Sequence, residues 1–197
     1  MTKSKIVFAT GNHDKFKEVS KIFSDTNYEL LKVTDLGKMP EVIENGSTYE
    51  ENAFIKADAI YNKFGFPVIA DDSGIEVEQL DGRPGIYAAR YAGEDCTYSD
   101  NNKKLINELK NFEEPHKAKF VCCALFYDGD NKISAIGELH GKIISEPKGD
   151  KGFGYDPVFV PDGYNITCAE MKLEEKNKIS HRGKAFHRLK EMLHTKC

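Results

Sequence analysis

The chain has 197 residues, 40% of them apolar and 30% charged. That is the balance of an ordinary soluble globular protein, long enough to bury a full core as one domain or as two lobes sharing a sheet. Its formal charge of −4 excludes a general nucleic-acid coat, which carries a basic excess, so no nucleic-acid partner is expected. From Tyr164 to Cys197, however, eight Lys or Arg face four Glu, and a local basic patch in an acidic protein suits a compact anionic ligand.

The first apolar run, Ile6-Val7-Phe8-Ala9, is too short for a signal peptide or a membrane span, so no membrane partner is expected. The five cysteines (Cys96, Cys122, Cys123, Cys168 and Cys197) are odd in number and contain no C-x-x-C pair. Reduced thiols in a cytoplasmic protein, with no zinc site, are expected from that pattern.

Lys5 to Ala9 predicts a first strand. It runs into Thr10-Gly11-Asn12-His13-Asp14-Lys15, after which Phe16, Val19 and Ile22/Phe23 recur at helical spacing. A strand, a glycine turn and a helix start place backbone N–H groups where a phosphate can sit, and Lys15 adds a point charge. This is not a Walker A loop, and an ordinary β-to-α turn has the same composition. Tyr28 to Thr34 predicts a second strand, with a loop through Pro40 to Gly46 that contains Glu44. Thr48-x-x-Glu51 is a capping-box pattern, and the helix it opens has an apolar stripe of Ala53, Phe54, Ala57, Ile60, Tyr61 and Phe64. Asn52 and Lys56 lie within that helix, where polar and charged residues usually form a solvated face.

Val68-Ile69-Ala70 predicts a buried strand that ends in Asp71-Asp72-Ser73-Gly74. Adjacent carboxylates at the carboxyl end of a buried strand are costly unless paired, solvated or holding a metal. That end is also where ligands bind in open α/β sheets. Successive strand residues point to opposite faces, so only one of the two aspartates is expected in a pocket. A polar strand end followed by an Asp-Ser-Gly turn accounts for the same residues.

Ile75 to Leu80 then predicts a strand, Gly82-Arg83-Pro84-Gly85 a turn, and Arg90 follows in a Gly/Ala/Tyr-rich segment. Tyr98 to Phe112 predicts an amphipathic helix. Lys119 to Tyr127 and Lys132 to Ile144 flank Asp128-Gly129-Asp130-Asn131, a hairpin signal. In Lys148 to Pro157, glycines surround Phe153, Tyr155 and Asp156. Glycines let a backbone approach a ligand closely, and an exposed aromatic beside them can stack on a base. Ser180 is placed to cap a final helix whose buried stripe is Phe186, Leu189 and Leu193. His181 and Arg182 fall in its first turn, where cations oppose the helix dipole; a bound anion or an electron-rich base edge would justify them.

Several motifs occur in order: Thr10-Gly11-Asn12-x-x-Lys15, Glu44-x-Gly46-x-Thr48-x-x-Glu51-Asn52-Ala53, Asp71-Asp72-Ser73-Gly74, Pro84-Gly85-x-Tyr87-x-Ala89-Arg90-Tyr91, Gly152-Phe153-Gly154-Tyr155-Asp156-Pro157 and Ser180-His181-Arg182. Together they resemble the inosine triphosphate pyrophosphatases of the Ham1 type, over nearly the whole chain. Ala88, where bacterial members often have Ser, and Cys168, where an aromatic is usual, depart from the pattern outside the motifs.

The resemblance implies a single α/β domain over residues 1–197, elongated and two-lobed. A long central mixed β-sheet would be flanked by helices, with the active-site cleft between the lobes. It also implies a cytoplasmic homodimer and Mg²⁺-dependent cleavage of ITP, dITP and XTP to the monophosphate and pyrophosphate, which clears deaminated purines from the nucleotide pool. By similarity, Thr10, Gly11, Asn12, His13, Asp14, Lys15, Lys56 and Arg90 would hold the triphosphate. Glu44 and Asp72 would serve the metal, and Asp72 would accept the proton, directly or through a metal-bound water. Phe153 would stack on the base, with Asp156, Lys176, His181 and Arg182 around its edge. Ser73, Gly154 and Tyr155 complete the substrate-binding set. Attack of water at the α-phosphorus needs in-line positioning and neutralised phosphate charge, which Lys15, Lys56, Arg90 and Mg²⁺ would supply. A Maf-like pyrophosphatase of other base preference and a non-catalytic nucleotide sensor are the alternative readings.

Overall fold

The structure, a computed structural model, describes residues 3–194. In chain order the strands are β1 (Ser4–Phe8), β2 (Tyr28–Lys32), β3 (Val68–Val77), β4 (Pro84–Gly85), β5 (His116–Tyr127), β6 (Lys132–Ile143) and β7 (Phe159–Pro161). The helices are α1 (His13–Phe23), α2 (Val33–Leu36), α3 (Tyr49–Phe64), α4 (Tyr98–Leu109), α5 (Leu173–Ile179) and α6 (His181–His194). The strands form a mixed sheet in the order β2-β1-β3-β5-β6-β7, with β4 on β3. β1 runs parallel to β2 and β3, whereas β3–β4 and β6–β7 are antiparallel.

The chain divides into two compact units, each made of separate stretches. The first takes in the described residues up to Asp72, Cys122–Gly137 and those from Arg182 on; the second takes in Ser73–Val121 and Glu138–His181. In the first unit, alternation along the strands sets two layers. Ile6, Phe8 and Ile69 face a core with Val19, Ile22 and Phe23 of α1 and Phe186, Leu189 and Leu193 of α6. Val7, Ala9, Val68 and Ala70 face another with Ala53, Ala57 and Ile60 of α3. The second unit packs Ile75 and Val77 of β3, Leu105 and Leu109 of α4, and Phe120, Leu139 and Phe159 around one core.

Several expectations change: β2 ends at Lys32, with Val33 and Thr34 in α2, and Pro84–Gly85 of the predicted turn pair with β3 as β4. Asp71-Asp72-Ser73-Gly74 is not a strand end or a turn but the middle of β3, which continues to Val77. On one edge β3 pairs with β1 at Val68 and Ile69, and with β4 at Ile75 and Glu76. The Asp-Ser-Gly composition is thus overridden by partners gained before and after it. The predicted strand from Ile75 ends at Val77, and Glu78–Leu80 turn as a 3₁₀ helix. α5, ahead of the final helix, carries no periodic signal that announces it. Among the described residues Cys96, Cys122, Cys123 and Cys168 form no disulfide, and Cys197 lies outside them. No helix among the described residues is long and apolar enough to cross a membrane.

Candidate functional site

The pleat of β3 separates the two aspartates. Ile69 belongs to the α1/α6 layer and Ala70 to the α3 layer, so alternation sends Asp71 to the first and Asp72 to the second. Their partners follow that assignment. Asp71 Oδ2 meets Lys15 Nζ of α1 at 3.1 Å and Arg182 Nε of α6 at 3.3 Å. Asp72 Oδ1 lies 3.4 Å from Lys56 Nζ of α3, and its Oδ2 accepts from Asn52 Nδ2 at 3.2 Å.

Neighbouring charges then drive the two carboxyls in opposite directions. Burial pushes Asp71 upward, but Lys15, Arg182 and Lys56 outweigh it and hold the carboxyl well below its ordinary range. Burial raises Asp72, and although Lys56 and Asn52 oppose this, Glu44 adds to it and the group stays raised. Lys56, 7% exposed, also donates to Glu44 Oε2 at 2.8 Å. Burial would lower its ammonium, yet Asp72, Asp71 and Glu44 hold it above its usual value, so it stays charged. The solvated face expected of α3 is therefore interrupted where Asn52 and Lys56 turn inward.

The sequence assigns no role to two residues of this group: Asn52, which lies in one of the motifs, and Glu18, which lies in none. Asn52 accepts from Gly46 N at 2.8 Å while donating to Asp72, so one amide ties the loop after Glu44 to the strand. A Cβ on Gly46 would sit 2.7 Å from Glu51 Cβ and 2.8 Å from Asn52 Oδ1, which explains the glycine. Glu18 of α1 is buried and accepts from Arg182 Nη1 at 2.8 Å. Its only signal is its spacing, three residues after Lys15 and four before Ile22, on the inward face. Arg182 thus finds its anions inside the protein: burial would lower its charge, and Asp71 and Glu18 hold it.

The Thr10–Lys15 turn is largely satisfied from within. Thr10 Oγ1 accepts from Asn12 N at 3.1 Å, and Asn12 Oδ1 caps α1 by accepting from Asp14 N at 2.9 Å and Lys15 N at 3.1 Å. Gly11, His13 and Asp14 are exposed. The N–H groups of Asn12, Asp14 and Lys15 are thus bonded within the turn, and Lys15 adds its charge to it.

The second unit brings together Phe153, Asp156 and Lys176. Asp156 Oδ2 accepts from Lys176 Nζ at 2.6 Å and from Phe153 N at 2.8 Å, and Lys176 Nζ stands 5.0 Å from the centre of the Phe153 ring. Gly152 (φ 73°) has no room for a Cβ, which would meet Asp156 Oδ2 at 2.1 Å. Tyr155 does not face this group: it is buried and donates its hydroxyl to Ala88 O at 2.8 Å. Gly154 contributes its carbonyl to Asn102. His181 is buried with its ring 4.7 Å from Phe120, stacked on it. Arg90 lies 5.4 Å over Tyr87, and Ser73 is half-buried just after Asp72.

No group of three or more His, Cys, Asp or Glu among the described residues is arranged to hold a metal. Glu44 and Asp72 nonetheless form a two-carboxylate pair that already has a cation, Lys56 Nζ, between them. Hard oxygen donors in that number suit Mg²⁺, which takes one or two carboxylates and completes its shell with phosphates and water.

The Ham1 family model matches residues 6–192. A protein from Geobacter sulfurreducens named dITP/XTP pyrophosphatase is 44% identical over 192 residues, 96% of each chain. One of the same name from Aquifex aeolicus is 46% identical over 198 residues, again 96% of each. Among solved structures, the Ham1 protein of Staphylococcus aureus is similar at TM-score 0.87 and 38% identity, covering 98% of this chain and 100% of its own. A HAM1 protein from Coxiella burnetii reaches TM-score 0.89 at 34% identity, covering 98% and 99%.

Proposed function

Because the chain belongs to the Ham1 family, we propose that it is a nucleoside triphosphate pyrophosphatase. It converts ITP, dITP and XTP to the monophosphate and pyrophosphate. The observation that most supports this is Asp72: a buried carboxyl with a raised pKa, held by Asn52 and facing the charged Lys56. A carboxylate of raised pKa is suited to receive a proton near neutral pH.

In this reading Lys15 and Lys56 neutralise the triphosphate, and Asp72 takes the proton of the attacking water. As the water oxygen bonds to the α-phosphorus, the bond to the bridging oxygen breaks and pyrophosphate leaves with the electron pair. Mg²⁺ held by Glu44 and Asp72 would supply further charge neutralisation on the phosphates. Phe153 stacks on the purine, and Lys176, oriented by Asp156, donates to the O6 acceptor that hypoxanthine and xanthine share. Adenine, with an amino donor there, would leave Lys176 mismatched. Arg182 moves from a base donor to the support of Asp71, since Nε and Nη1 are engaged by carboxylates. A cytoplasmic homodimer completes the proposal, testable by solution mass.

The experiment is pyrophosphate release from ITP, dITP, XTP, ATP and GTP with Mg²⁺ or with excess EDTA. Turnover is expected on the first three, with loss of activity in EDTA. Asp72→Asn should lower kcat by at least about 10²-fold, the low end for loss of acid–base catalysis. No pyrophosphate from ITP, XTP or dITP would overturn the function and favour a sensor. Full activity in EDTA would overturn the metal assignment, and full activity of Asp72→Asn the role of Asp72.

A further inference from the structure

Helix α4 presents Tyr98, Asn101, Asn102 and Leu105 along one face, at the spacing of helical neighbours. Leu105 enters the core of the second unit; the polar members hold two turns. Asn101, 2% exposed, donates Nδ2 to Ala89 O at 3.1 Å and accepts from Ala92 N at 2.7 Å. It closes the turn that carries Arg90. Asn102 is buried and donates Nδ2 to the carbonyl of Gly154 at 3.1 Å, in the turn that carries Phe153. Its Oδ1 is buried with no hydrogen-bond partner among the described residues.

The amide cannot be turned round, because Oδ1 would then face the Gly154 carbonyl, acceptor against acceptor. A buried acceptor left unpaired costs stability, so this asparagine is not the side chain that packing alone would select. What it provides is one donor at one place. That place matters because Phe153 lies between Gly152 (φ 73°) and Gly154 (φ 65°). Glycines do not hold a single backbone conformation by themselves. The direction of the Phe153 ring therefore depends on tethers: Phe153 N to Asp156 on one side, Asn102 to Gly154 O on the other. Tyr98 adds a third element. The residue is 49% exposed, and its ring lies 6.2 Å from that of Phe153, inclined to it by 42°.

We infer that Asn102 and Tyr98 of α4 are positioning residues that determine purine binding. Asn102 fixes the Gly154 carbonyl and with it the presentation of Phe153, and Tyr98 backs the Phe153 ring. This rests on the assignment of Phe153 as the base platform proposed above.

The test measures kcat and KM for ITP, and competitive inhibition by pyrophosphate, in Asn102→Ala, Asn102→Asp, Tyr98→Ala and Phe153→Ala. Loss of a base-stacking partner costs on the order of tenfold in binding. Asn102→Ala and Tyr98→Ala should each raise KM for ITP by about that factor while kcat changes by less than about threefold. Inhibition by pyrophosphate, which has no base, should be unchanged. Asn102→Asp should exceed Asn102→Ala, because it sets a carboxylate against the Gly154 carbonyl. A purely structural role would instead move kcat, pyrophosphate inhibition and melting temperature together. If Phe153→Ala raises KM and the α4 variants do not, the inference fails and the base platform stands. If Phe153→Ala itself leaves KM unchanged, both fail. Should Asn102→Ala not fold, Tyr98→Ala at its exposed position decides the matter alone.

Discussion

Asp71 and Asp72 are chain neighbours with opposite thermodynamic signs. Asp71 is held low, so it contributes stability that is present above the ordinary Asp range and is lost as pH falls through its folded value. Asp72 is raised, so its contribution is favourable only below the unfolded pKa and is lost as pH rises through the folded one. At pH 7 the first therefore supports the fold and the second burdens it. Asp71→Asn leaves Arg182 buried with half of its compensation gone, a loss of about 3–5 kcal/mol, or roughly 6–20 °C in melting temperature. Asp72→Asn should melt at the wild-type temperature or above it, while losing turnover. Thermal melts at pH 7 check both. Repeated towards pH 3, the gap between wild type and Asp71→Asn should narrow; a gap that widens would remove Asp71 from the ion-pair account.

At the scale of elements, the loop carrying Glu44 and the helix carrying Lys56 are joined through Gly46 and Asn52. Gly46→Ala cannot be accommodated without moving Asn52, and Asn52 holds Asp72. Displacements near 1 Å can cost about 10²-fold in rate, so Gly46→Ala should lower kcat by about 10- to 100-fold. Helical content by circular dichroism should stay intact. Much of this was readable beforehand. The Thr48 cap of α3 is present, with Thr48 Oγ1 accepting from Glu51 N at 3.1 Å, and the stripe of Ala53, Ala57 and Ile60 is fully buried. The Glu51 carboxylate in turn accepts from the backbone N–H and the hydroxyl of Ser47, each at 2.7 Å. Alternation foretold that the two aspartates part company. What could not be read depended on distant chain. Arg182 announces a cation in a helix's first turn, but nothing local says that its anions are Glu18 and Asp71. Glu18 itself looks like any charged residue on an amphipathic helix, because inward charge becomes tolerable only once Arg182 arrives.

For the whole molecule, both units are discontinuous, and β3, β5 and β6 each run through the two of them. Neither unit corresponds to a segment that could be excised. The α1 layer needs Phe186, Leu189 and Leu193 of α6 to close its core. A truncation that ends before Arg182 should lose cooperative unfolding and bind a hydrophobic dye, with β1, β3 and α3 all present in the chain. A sharp, cooperative melt in that truncation would show that α6 is dispensable. Contacts of such separation also make slow folding the expectation.

The ion pair between Asp71 and Arg182 spans 111 residues, and that between Glu18 and Arg182 spans 164. On a translating ribosome this distance is a waiting time. At about 5–20 residues per second, roughly 6–22 s pass between the synthesis of Asp71 and that of Arg182. Asp71 can pair with Lys15, which precedes it in the chain, but the Arg182 contacts of Glu18 and Asp71 can form only after that interval. The buried ion network of the first unit is therefore completed only when α6 has been made, the same helix whose Phe186, Leu189 and Leu193 close the core.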